Sequence, residues 1–325
     1  MQNSSYAEAN VLLFDQTIPV LRQTMSVLHA LGFKSFADVH ELKAARQVLA
    51  NQRLEIVIPA LESADCGVLK LVEDIRKQRC GQDPFIPILL TAWDARLKSV
   101  QLVIDSGADD LLLHPFSITQ MRERIEALVT ARKPFVVSED YFGPDRRSSS
   151  VIEADPSSII VPNALLAVAQ DCPDAAPSSA RTGVAFSDLR RLKLRNVARR
   201  IWYLADCLKQ ALPEPALIYR YEDELTKLRN SIRKYHKTLL PEDDRNLTKL
   251  CDAVSGVLAR LFGQPPDAEG LDLLLQKALA LRLASKLDNE QSDNRDVIRR
   301  EKAAKINKVA KTTNVEAGLV QAVMG

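Results

Sequence analysis

Gly107-Ala108-Asp109-Asp110-Leu111-Leu112-Leu113-His114-Pro115-Phe116 decides the fold of this chain. Its centre is a short, continuous apolar run, the form taken by a strand buried on both faces of a parallel sheet. Working outward, Val11-Leu12-Leu13-Phe14, Glu55-Ile56-Val57-Ile58 and Ile86-Pro87-Ile88-Leu89-Leu90 repeat that form, and Ser35-Phe36-Ala37-Asp38 supplies a weaker strand. Amphipathic segments separate them. Pro19 to Leu31 places Val20, Met25, Leu28 and Leu31 on one helical face and ends at Gly32, which suits a helix C-terminus. Residues 9–132 therefore read as repeated βα units, predicting a doubly wound five-stranded parallel sheet covered by helices. Ligands of such sheets bind beyond the carboxyl ends of the strands, so the loops after Phe14, Ile58, Leu90 and Leu113 are where chemistry is expected.

At those loops residues 9–130 resemble the CheY-like receiver domains of bacterial response regulators. Phe14-Asp15 is similar to that family's first strand and acidic pair, Cys66-Gly67 to the end of the loop after strand three, and Leu90-Thr91-Ala92 to the fourth strand's ending. Gly107 to Phe116 is similar to its pattern G-A-D-D-Y-L-x-K-P-F. The resemblance implies an aspartate at the end of strand three that takes a phosphoryl group from a histidine kinase. It also implies Mg²⁺ held by that aspartate and the acidic pair, a threonine and a lysine that sense the phosphoryl oxygens, and a cis bond before Pro115.

Carried over residue by residue, much of this machinery is absent. Asp15 keeps the first carboxylate, but Gln16 offers no charge to a hard cation, leaving at most a weak Mg²⁺ site. The phosphoacceptor position falls on Ala60, or on Pro59 if the loop shifts by one, and neither side chain can be phosphorylated. Leu111 stands at the switch position usually held by tyrosine or phenylalanine, and His114 replaces the lysine; Thr91 and Pro115 match. Glu62 or Asp65 could bind a cation or accept phosphate, yet both are displaced from the strand end where in-line transfer needs exact placement. His114 could titrate beside Asp15 as a pH or anion sensor, or serve as a hydrogen-bonded structural residue.

The 325-residue length implies roughly two domains. With 44 basic and 42 acidic residues, a net charge of +2 excludes a strong global bias toward nucleic acid or membrane. Five scattered cysteines without a C-x-x-C pair indicate neither a disulfide framework nor a zinc site. Without a signal-peptide pattern or an apolar run long enough to span a bilayer, the expected location is the cytoplasm.

Beyond the receiver-like region (1–132), residues 133–184 are rich in Pro and Ser and read as an extended linker. Within it Tyr141-Phe142-Gly143-Pro144-Asp145-Arg146-Arg147 suggests an aromatic anchor, a turn at Gly143-Pro144 and two exposed arginines able to meet an anion. From 185 to 287 the apolar spacing becomes three and four. Leu194 to Leu208, Ile218 to Leu239, Leu247 to Leu261 and Leu271 to Leu281 predict an all-α bundle of four antiparallel helices, with a coiled-coil dimer as the competitor. Arg190, Arg191, Arg199 and Arg200 belong to a run without acidic residues, which could meet nucleic acid or an anionic nucleotide messenger, or be a solvated face. His236 lies on a bundle helix, but Lys237 departs from the acidic residue that follows a phosphotransfer histidine. Residues 288–325 are polar and read as a flexible tail.

These features predict a signalling protein rather than an enzyme, with no cofactor, acting through protein partners such as a histidine kinase or another regulator, or through a homodimer. Nucleic-acid binding is the runner-up, and a relay member phosphorylated on Asp15, Asp65 or His236 the third reading.

Overall fold

A computed structural model of the chain describes residues 5–62, 67–93, 97–146, 158–211, 221–239, 245–264 and 267–285. Asp65, Arg147 and the polar tail lie outside them. The chain divides into two compact units, Met1–Val197 and Ala198–Gly325.

The first unit begins with five strands, β1 (Asn10–Phe14), β2 (Ser35–Val39), β3 (Ile56–Leu61), β4 (Leu89–Ala92) and β5 (Asp110–Leu113). Helices α1 (Ile18–Ala30), α2 (Leu42–Asn51), α3 (Val68–Arg76) and α4 (Leu97–Ser106) connect them, and α5 (Ile118–Thr130) follows. All pairings are parallel, in the order β2-β1-β3-β4-β5. Because side chains alternate along a strand, β1 feeds two cores. Val11 and Leu13 pack with Ile56, Ile58, Leu28 and Ile125, while Leu12 and Phe14 pack with Val57, Leu71, Ile75 and Leu90. Every one of these residues is at most 2% exposed, and full burial of such a side chain stabilises by roughly 1.5–3 kcal/mol.

Two elements differ in detail from the reading of the sequence. Strand β4 starts at Leu89 rather than Ile86, because Pro87 has no N–H for a ladder and contributes only its carbonyl, to the Val57 amide at 2.9 Å. In α1 the buried positions are Leu21, Thr24 and Leu28, a face rotated from the expected one, with Val20 and Met25 half-buried at its border.

Residues 133–184 correct the expectation of an extended linker. Its described residues, 133–146 and 158–184, include an antiparallel sheet β7-β6-β8 (Phe142–Pro144, Phe135–Val137 and Ser158–Ile159) and the short helix α6 (Ala164–Ala169). Apolar residues spaced among the prolines do this: Phe135, Val137 and Val161 form a core with Phe85, Leu189 and Leu192, and Leu165 and Ala169 join the core under α1 and α5. Gly143-Pro144 lies in strand β7 rather than a turn, and the Asp145 amide bonds Pro134 O at 2.8 Å. Arg146 is not a solvated arginine, since it donates to the Ala108 carbonyl. Helix α7 (Ser179–Ala211) starts within the same stretch.

A buried ion cluster ties this sheet to the entrances of β4 and β5. Arg76, 1% exposed, donates to Asp109 Oδ2 at 2.7 Å, to the Gly107 carbonyl at 2.8 Å, and to the Pro84 and Ile86 carbonyls at 2.8 Å each. Arg132 reaches Asp109 Oδ1 at 2.8 Å, and Asp109 also accepts the Ile88 amide at 2.8 Å. Both guanidinium carbons stand 5.1 Å from the Phe135 ring centre. Burial pulls the Arg76 pKa down to about 10, with the Asp109 carboxylate opposing, so it is charged at neutral pH. The approach is close enough to require glycine. A Cβ on Gly107, whose φ is +88°, would come within 2.5 Å of Phe142 O, and one on Gly143 within 2.7 Å of the Gly107 Cα.

In the second unit the remainder of α7, α8 (Tyr221–Thr238), α9 (Arg245–Leu261) and α10 (Ala268–Ala284) are helical and pack together. The three-and-four seam is the buried face: Ile201, Leu204 and Leu208; Leu225, Leu228, Ile232 and Tyr235; Val254, Val257 and Leu261; Leu271, Leu274, Ala278 and Leu281. Ile218 lies outside the described residues, and Leu247 and Leu250 are only half-buried.

Removing one partner from the buried cluster leaves a charge without compensation. Arg76→Ala is expected to cost about 3–5 kcal/mol in denaturant unfolding of the full chain. Arg191→Ala, on an exposed helix face, should stay within about 0.5 kcal/mol.

Candidate functional site at the carboxyl edge of the sheet

Strand register fixes what meets at this edge. Ala60 stands opposite Thr91 and Leu61 opposite Ala92, while Ala92 stands opposite Leu113. Glu62, Trp93 and His114 are therefore the next residues of three adjacent parallel strands. Asp15 and Gln16 follow β1 on the other side of β3.

The sequence-derived positions do converge. Asp15, Ala60 and Thr91 line one cavity with Phe14, Thr24 and Ile58, but its volume is about 10 Å³, room for one water. Asp15 is buried and its Oδ1 accepts the Thr17 amide at 2.8 Å. Burial lifts its pKa above the ordinary value, the Thr17 hydrogen bond works against that, and the Glu62 charge adds to it. Gln16 is exposed and Ala60 and Thr91 are buried. Pro115 follows a cis bond to His114, as the resemblance implies. Leu111, at the switch position, is half-buried against the core beneath α2, α3 and α4.

His114 has an aromatic setting that its place in the sequence did not announce. Its ring stacks on Trp93 at 4.7 Å and 15° and tilts against Phe116 at 4.5 Å. Its amide donates to the Ala92 carbonyl at 2.8 Å, while Nε2 is buried without a hydrogen-bond partner. Burial lowers its pKa, so at neutral pH it is uncharged and supplies no cation where the resemblance places a lysine. Glu62, one of the displaced carboxylates, accepts the Thr17 hydroxyl at 3.1 Å. The pairing of Glu62 with Thr17 and the role of Trp93 escaped the sequence reading. The signal available was register: Glu62 and Trp93 each lie one step past a strand end.

The other candidates are dispersed. Arg146 lies at the opposite edge of the sheet, on Ala108. Arg190 and Arg191 belong to the first unit and Arg199 and Arg200 to the second. Arg191 sits 3.6 Å from Asp188, and Arg190 and Arg200 each have an interaction partner, so the basic run is not one free cationic stripe. His236 is exposed, 3.8 Å from Asp252. Among the described residues no three His, Cys, Asp or Glu side chains cluster as metal ligands would.

The two pKa shifts have opposite consequences for stability. Asp15, raised in the folded state, contributes most below its unfolded pKa near 3.8 and loses that contribution as pH rises through the folded value. Asp15→Asn should therefore raise the melting temperature at pH 7, with the gain shrinking as pH falls toward 3.8. His114 is lowered, so its contribution is full above about 6.5 and is lost as pH falls below that. In His114→Phe the corresponding acid loss should be absent from melting curves recorded between pH 7 and pH 5.

No family model matches the chain, and no curated protein does. Solved structures similar to it include an orphan response regulator of H. pylori, at 20% identity over 37% of this chain and 96% of that one, with a TM-score of 0.32. Another is the chemotaxis response regulator CheY4 of Vibrio cholerae, at 20% identity over 36% and 96%, TM-score 0.33. A third is response regulator DrrB of Thermotoga maritima, at 16% over 40% and 56%, TM-score 0.33. By its own strand order and parallel pairings, the first unit contains the doubly wound, five-stranded CheY-like fold, and a helical unit follows it.

Proposed function

We propose that the chain is a signal-transduction protein whose receiver fold works without phosphoryl transfer, as a docking module coupled to a helical interaction unit. It is not an enzyme on this reading. One observation carries the proposal: Ala60 occupies the strand-three end, opposite Thr91, where the receivers it resembles present the phosphoacceptor. Phosphoryl transfer depends on placement and on charge to neutralise the moving group. Here Asp15, which lines one cavity with Ala60 and Thr91, is the only carboxylate of that lining, Gln16 adds no charge, and burial lowers the His114 pKa so that it supplies no cation at neutral pH.

The partner-facing surface on this reading is the face built from β4, β5 and α5. Trp93, just past the end of β4, is 59% exposed, and Ile118, the first residue of α5, is 44% exposed. Among the described residues no helix is long and apolar enough to cross a membrane. A protein partner, such as a histidine kinase or a second regulator in the cytoplasm, fits this surface better than nucleic acid does, because Arg190, Arg191 and Arg200 of the basic run already have partners.

The test is direct. Full-length protein incubated with acetyl phosphate and Mg²⁺ should keep its unmodified intact mass, and so should Ala60→Asp, since one carboxylate does not restore the cation and the lysine. A stoichiometric phosphoryl adduct on the wild-type chain would overturn the proposal.

A further inference from the structure

At the amino edge of the sheet three segments of the first unit enclose a cleft of about 480 Å³. Leu49 and Arg53 come from the end of α2 and the chain after it, Asp83 and Ile86 from the loop between α3 and β4, and Ser179 and Gly183 from the start of α7. That volume, with walls part apolar and part polar, is the form of a small-molecule site. Gly183 keeps it open. A glycine inside a helix weakens it relative to alanine, yet a Cβ here would meet nothing within 4 Å, so what the missing side chain preserves is space.

The polar walls lack opposite things. Asp83 Oδ1 accepts the Phe85 amide at 2.9 Å, while Oδ2 is buried and has no hydrogen-bond partner among the described residues. Arg76 and Arg132, whose charges act on it, give their N–H groups to Asp109 and to backbone carbonyls. A buried carboxylate oxygen left without a donor points to one that a ligand supplies. At the start of α7 the need is for an acceptor. Ser178 Oγ takes the Arg181 amide at 3.2 Å, the Ser179 and Ala180 amides have no partner among the described residues, and the first turn holds no acidic residue. Arg53, its side chain 69% exposed and its Nε 3.3 Å from Glu55, adds a positive charge to the same cleft. An acidic group suits this end.

We propose that this cleft binds a guanine nucleotide, whose adjacent ring and amino N–H groups supply donors to Asp83 and whose phosphate meets Arg53 and the start of α7. Adenine carries no such pair of adjacent donors, and a free phosphate would leave Asp83 unmatched. The site is independent of the docking reading at the carboxyl edge. Because α7 runs from the first unit into the second, a nucleotide at its first turn would act on the helix that joins them.

Calorimetric titration of GMP into the full-length protein, with AMP and inorganic phosphate in parallel, tests this. GMP should bind, and AMP and phosphate should bind roughly tenfold more weakly or not at all. Asp83→Asn, which keeps an acceptor for the Phe85 amide, and Arg53→Ala should each weaken GMP about tenfold. Gly183→Leu, which fills the cleft, should abolish binding. Arg53 and Gly183 are exposed, so these two variants decide the matter if melting curves show that Asp83→Asn does not fold. No binding of GMP, equal binding of AMP, or unchanged GMP affinity in folded Gly183→Leu would each overturn the proposal. Such a failure leaves the response to acetyl phosphate, and with it the docking reading, untouched.

Discussion

Asp109 is the constraint on which the first unit depends. Its carboxylate sits almost without solvent, accepting from Arg76, Arg132 and the Ile88 amide. A carboxylate buried this deeply is tolerable only when its charge is paired and its lone pairs are occupied. Satisfying them pins the start of β4 to the start of β5 and fixes the end of α3 against both. Through Arg132 it also positions the chain that leaves α5. Phe135, whose ring both guanidinium groups approach, then brings in the small antiparallel sheet. Removal of either arginine would therefore disturb two sheets.

This arrangement separates the molecule's two edges by task. At the amino edge, charges are buried, paired and covered by the extension. At the carboxyl edge the ionisable groups are few and poorly compensated, with Asp15 raised and His114 lowered. His114 packs as an aromatic ring against Trp93 and Phe116, a use of imidazole suited to shape rather than to charge.

How far the sequence discloses this depends on whether the signal is local. Continuous apolar runs such as Val11 to Phe14 and Leu111 to Leu113 identify buried parallel strands because both faces demand apolar residues. The seam in α8 is equally legible, since three-and-four spacing maps directly onto one buried face. Ala60, Gln16 and His114 were readable as departures because each sits at a fixed step from a strand. The extension was not. Its prolines and serines resemble a linker, and its order comes from Phe135, Val137 and Val161 meeting Phe85 and Leu189 far along the chain. Arg76 likewise looks like a surface residue in sequence, and only its pairing with Asp109, 33 positions away, explains its burial. Trp93 belongs to the same class, because its ring partner His114 is brought to it by the pairing of β4 with β5.

On the proposed function, the carboxyl edge keeps the strand order of the receivers it resembles and cannot hold a phosphoryl group. Fluorine NMR of the full-length protein with beryllofluoride and Mg²⁺ tests it most directly, because this phosphoryl mimic binds only where an aspartate and a cation are placed to receive it. The account expects the spectrum of free beryllofluoride species alone. A bound resonance that disappears in Asp15→Asn would contradict it.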